Sequence, residues 1–177
     1  MVHISVPQAV DLAPVIILLH GRGSSGDAIL GKWQSSSPLS TTHVLVAPDG
    51  ADQSWNIVEE PSRLNDVALI IMILDALSAY ANVDANRTGL FGRSNGSALI
   101  NRILIESDDP RIVRGVTEVS QLNEYQFRNG CFFVGGADNA YTKAKPKLVR
   151  REVLSLQGGN DPVIPAAGGA SKIVRVD

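Results

Sequence analysis

Short apolar runs rich in β-branched residues punctuate the chain at residues 15–19, 44–47, 88–91, 115–120 and 153–156, and four of them end in a glycine-bearing turn. Runs of this length, apolar on both faces, predict strands buried on both sides of a sheet. Between them the period changes. Ala98, Leu99, Ile100, Ile103 and Leu104 recur at helical spacing, and residues 27–33 suit a short helix. Residues 67–81 are apolar almost all round, which predicts a helix buried on more than one side, with Asp66 as its N-cap. Residues 3–7 read as an outer strand. Strand, glycine loop and helix in repeated order predict an α/β domain with a mostly parallel sheet.

The 177 residues are enough for one core and too few for two ordinary ones, so residues 1–177 are read as a single domain. Residues 121–151 interrupt the alternation. They are rich in Gly, Asn and Lys yet hold five of the nine aromatic residues, and are expected to form an excursion over the catalytic edge.

Charge narrows the partners. With 16 Lys plus Arg against 18 Asp plus Glu and no like-charge run, the chain shows no nucleic-acid or membrane footprint, and a small molecule is the expected partner. The longest apolar run falls well short of the ~20 residues of a membrane span. No signal peptide is evident, which favours a cytoplasmic location. Cys131 stands alone, so no internal disulfide or multi-cysteine metal site is expected.

The segment Gly92-Arg93-Ser94-Asn95-Gly96 fits the G-x-S-x-G pattern between a strand and a helix, which holds a serine on a sharp turn as an exposed nucleophile. Such a hydroxyl needs a base and an acid that orients the base. Asp161, in the glycine-rich turn after the last strand, is placed as the acid, with Asp138 as substitute. Oxyanion donors would be the N–H groups of Asn95 and of Arg22 or Gly21, and Trp55 is a candidate for the substrate pocket. The base is harder to find. His3, His20 and His43 all precede Ser94, and only His20 lies at the correct sheet edge, as a possible surrogate base or as a brace for its loop.

These segments, together with Pro48-Asp49-Gly50, Ser54-Trp55-Asn56 and Gly158-Gly159-Asn160-Asp161-Pro162, resemble α/β-hydrolases of the polyhydroxybutyrate-depolymerase and feruloyl-esterase-like carboxylesterase group. The resemblance implies an α/β-hydrolase-type sheet flanked by helices, lacking the usual last strand and helix. It also implies a serine carboxylic-ester hydrolase acting on short acyl or aryl esters, with Ser94 as nucleophile, Asp161 as acid, Arg22 and Asn95 as oxyanion donors, and no metal or cofactor. Members usually continue to a catalytic histidine, so three readings stay open: a shortened chain, an unusual base, or a protein that binds with little turnover. A sheet without its usual last strand is expected to pair into a homodimer or larger oligomer.

Overall fold

A computed structural model describes residues 1–8, 10–60, 62–120, 122–146 and 148–167. Six strands form the central sheet: β1 (Val2–Ser5), β2 (Ala13–Leu19), β3 (Val44–Pro48), β4 (Val83–Arg93), β5 (Ile112–Glu118) and, after three short strands, β9 (Glu152–Leu156). Their spatial order is β1-β3-β2-β4-β5-β9, with β1 antiparallel to β3 and every other neighbour parallel.

Alternation along β2 explains the layering. Val15, Ile17 and Leu19 face one way, into a core completed by α2 (Asp66–Leu77) and α3 (Asn95–Glu106). Ile16 and Leu18 face the other way, toward Ile29 and Leu30 of α1 (Gly26–Ser36). β2 and β3, at the centre of the sheet, therefore bury both of their faces, and this is why these two segments read as continuous apolar runs.

The helix at residues 67–81 departs from expectation in three ways. It ends at Leu77, and it buries mainly the stripe Ile70, Ile73, Leu74 and Leu77, leaving Met72 exposed. Its cap is Asn65, whose Oδ1 accepts the Ala68 N–H at 3.0 Å. Asp66, displaced from the cap, accepts the Asn56 N–H at 2.7 Å and is buried, which raises its carboxyl above the ordinary range by desolvation.

Residues 122–146 carry a second, three-stranded antiparallel sheet of β6 (Phe127–Arg128), β7 (Cys131–Val134) and β8 (Lys143–Lys145). Buried Arg102 of α3 holds this excursion. It bonds Glu106 Oε1 and Asn139 Oδ1, each at 2.7 Å, and reaches Gly136 O, while Tyr141 Oη donates to Ile57 O at 2.6 Å. None of the excursion's described residues lines the cavity beside Ser94.

Candidate active site

At the carboxyl ends of the parallel strands, α1 leaves β2 toward one face of the sheet while α3 leaves β4 toward the other. Adjacent strands whose helices diverge open a crevice between their loops, where ligands of such sheets bind. Ser94 occupies the β4 side and residues 20–22 the β2 side.

β4 ends at Arg93 and α3 begins at Asn95, so Ser94 alone makes the turn. Its φ of 53° and ψ of −119° lie where an L-residue is strained, at a cost of about 1–3 kcal/mol. Neighbouring contacts hold it there. The Ser94 N–H donates to Glu118 O at 2.8 Å, and Ser97 Oγ lies 2.5 Å from Gly92 O and 2.8 Å from Glu118 O. A Cβ at position 92 would stand 2.5 Å from Gly96 O, and one at position 96 would collide with Leu19 O and His20 O. The pattern's two glycines are thus required by backbone crossing backbone. The Ser94 side chain does not cap its helix and borders a cavity of about 560 Å³.

Two amide donors flank it. Asn95 opens α3, so its N–H has no intrahelical acceptor, and its side chain is fixed by the Trp55 N–H donating to Oδ1 at 2.7 Å and Nδ2 donating to Trp55 O at 3.1 Å. Arg22 N–H has no partner among the described residues. The direction of that N–H follows from His20. The Gly50 N–H points at His20 Nε2 at 3.0 Å, which makes Nε2 the acceptor and puts the ring proton on Nδ1, 2.8 Å from Gly21 O. With Gly21 O tied to the imidazole, the trans peptide turns the Arg22 N–H the opposite way. A Cβ on Gly21 would lie 3.5 Å from Ser94 Cβ, so this peptide abuts the serine.

The same bonds correct the surrogate-base expectation. Both His20 nitrogens are engaged, the residue is buried, and desolvation lowers its pKa, so no lone pair faces the serine. Trp55 is also reassigned. It is fully buried, its Nε1 donates to His20 O at 2.8 Å, and its ring lies 4.9 Å from the imidazole; it supports the loop from beneath and does not line the cavity.

The other histidines lie elsewhere. His3 Nε2 is 3.2 Å from Asp49 Oδ2, whose second oxygen accepts the Gly26 N–H. His43 precedes β3, at the opposite end of the sheet. Asp161 does sit beyond the carboxyl end of β9. Its Oδ1 accepts the Val163 and Ile164 N–H groups at 2.8 and 2.9 Å, which hold the carboxyl below its usual range, and Oδ2 has no partner among the described residues.

Two carboxylates near the serine went unnoticed in the sequence. Glu118, the last residue of β5, lines the cavity 3.8 Å from Arg93 Nε. Glu60 accepts the Ile57 and Val58 N–H groups and approaches Arg22 Nη2 at 4.0 Å. Position at the carboxyl end of a strand was the available signal for Glu118; Glu60, in an irregular loop, offered none.

The strand order, the diverging helices and the serine turn define the α/β-hydrolase fold. Comparison with solved structures finds the same class. A native structure named sOPH superposes with a TM-score of 0.65 at 15% identity, covering 96% of this chain and 67% of that one. A thermostable esterase gives 0.61 at 18% identity, covering 94% and 44%, and a 2,6-dihydroxy-pseudo-oxynicotine hydrolase gives 0.52 at 16%, covering 65% and 32%. The chain thus spans well under two thirds of the length of the last two. No protein-family model and no curated protein matches the sequence.

Proposed function

We propose that the protein is a serine carboxylic-ester hydrolase that forms an acyl-enzyme on Ser94. The observation that carries this reading is the strained serine, left out of its helix cap, bordering the cavity and standing beside the Asn95 and Arg22 N–H groups, neither of which has an acceptor among the described residues. Attack of Oγ on an ester carbon moves negative charge to the carbonyl oxygen. Donors already oriented by His20 and by the Asn95–Trp55 pair would receive that charge without reorganisation, and one such donor is worth about 3 kcal/mol in a transition state. Collapse of the intermediate sends the serine proton to the departing alkoxide, which leaves as the alcohol, and water then cleaves the acyl-enzyme to the carboxylic acid and returns a proton to Oγ. Esterases and hydrolases among the structural neighbours support this chemistry, with short acyl or aryl esters as first substrates to try. Asp161 is the proposed acid, through Oδ2, which has no partner among the described residues. No step calls on a metal or a cofactor.

The absence of a histidine facing Ser94 among the described residues favours a second reading, in which the site binds esters with little turnover. Hydrolysis of p-nitrophenyl butyrate by wild type and Ser94→Ala separates the two. Loss of most activity in the variant supports the hydrolase; equal rates leave only background reactivity and support the binding protein.

A further inference from the structure

The sheet is covered unevenly. α1 packs on β1, β3 and β2, and reaches β4 through Trp33, whose ring meets Phe91 edge to face at 4.9 Å. Register places Leu18, Phe91, Val116 and Leu154 in one row across four strands on this face. The row is closed over at Leu18, half-buried at Phe91 and Val116, and exposed at Leu154, because no described helix packs on β9.

The result is a groove between α1 and the outer strands. Ser94 stands at its head, Ser36 and Ser37 at its far end, and Ile29, Trp33, Phe91 and Leu156 form its apolar middle. The α1 wall, Gly26–Ser36, is about 16 Å long at 1.5 Å per residue.

Charge on the walls is the reverse of the molecule's. The chain as a whole is at −2, yet the groove carries Arg22, Lys32 and Arg93 against Glu118 alone. Glu118 is shared with Arg93, Arg22 reaches a carboxylate only at 4.0 Å, and Lys32 has no ion-pair partner among the described residues. Arg22 and Arg93 flank the serine end, and Lys32 stands on α1 one turn before Ser36. An apolar middle with two cations at the serine end matches an amphiphile whose carboxyl-level head meets Ser94 and whose tail follows α1.

We propose that this groove binds an unbranched hydrocarbon chain attached to the ester group, and that Trp33 and Ala28 set the length it accepts. The chain could enter as the acyl or as the alkoxy part of the ester. The proposal rests on the hydrolase reading for its substrate, but not for its binding step: a fatty carboxylate, the product of such an ester, fits the same trough and cations.

Binding of dansyl-labelled undecanoate tests it in wild type, Ser94→Ala, Ala28→Trp and Trp33→Ala. Ala28 is exposed on α1, so its replacement fills the trough without touching the core. Expected results are equal binding by wild type and Ser94→Ala, displacement by decanoate, and binding at least about tenfold weaker in Ala28→Trp, as when roughly two methylenes are shut out of apolar contact. Retained probe binding with no ester hydrolysis sinks the hydrolase reading and leaves the groove standing. Where hydrolysis occurs, p-nitrophenyl octanoate against acetate reads the acyl side and octyl against methyl acetate the alkoxy side. Ala28→Trp is expected to lower the long-chain to short-chain rate ratio on one side only, the acyl or the alkoxy series, and to leave that ratio unchanged on the other. Undiminished binding in both Ala28→Trp and Trp33→Ala overturns the proposal. So does absence of binding together with a concentration-dependent dimer that Ala28→Trp disrupts, which would assign the face to a second copy of the chain.

Discussion

Gly96 tolerates no side chain, because a Cβ there runs into the carbonyls of Leu19 and His20, where the two loops of the site cross. Gly96→Ala is expected to cost about 1–3 kcal/mol or more, the range for overpacking. A lowered urea midpoint with an unchanged slope checks it. The G-x-S-x-G spacing was legible because steric exclusion leaves only glycine at such crossings. His20 was less so: a histidine beside a glycine loop looks the same whether it takes a proton from serine or fixes a peptide, and only the distances to Gly50 and Gly21 decide. Those bonds also set a pH dependence. Burial lowers the folded pKa of His20, so the unfolded chain binds the proton more readily, and stability falls as pH drops below about 6.5 toward the folded value. His20→Gln keeps an acceptor for the Gly50 N–H without titrating. Its denaturation midpoint should decline less between pH 7 and 5 than that of wild type, His43 supplying part of the remaining slope. Parallel declines would contradict this role.

Elements differ in how far local pattern reaches. Central strands could be read because burial on both faces leaves an apolar run, and α3 because one face repeats at helical spacing. The end of α2 and its cap could not, since Asp66 is drawn away by Asn56, ten residues earlier in the sequence. The excursion was visible as a break in composition, but its seat on α3 depends on Arg102, whose partners at Asn56, Gly136 and Asn139 lie far along the chain. Arg102→Met leaves Glu106 buried without its cation, at an expected cost of about 3–5 kcal/mol. Thermal unfolding should show the loss, and limited proteolysis should cut within residues 122–146 faster than in wild type. Unchanged cleavage would mean that Tyr141 and Gln126, whose Nε2 donates to Ala98 O of α3 at 3.2 Å, suffice to hold the segment.

Across the whole molecule, burial declines from the centre of the sheet to β9, where all five residues are exposed and the outer edge has no partner strand among the described residues. An apolar edge of this kind invites pairing with another copy. A concentration-dependent dimer in sedimentation velocity is expected, weakened by Val153→Lys; a monomer at tens of micromolar would oppose it. Nothing in the local sequence distinguished β9 from the inner strands, since its apolar residues are of the same kinds and only its neighbours differ. The site sits between the well-packed centre and this open side, with a strained serine on one and a groove on the other.

The central claim is that the Ser94 hydroxyl is a nucleophile held toward an acyl carbon. Covalent labelling by a fluorophosphonate, read by intact mass and peptide mapping, tests it most directly. One adduct on Ser94, absent from Ser94→Ala and lost on unfolding, is the predicted result; folded protein that stays unlabelled, or is labelled only elsewhere, would contradict it.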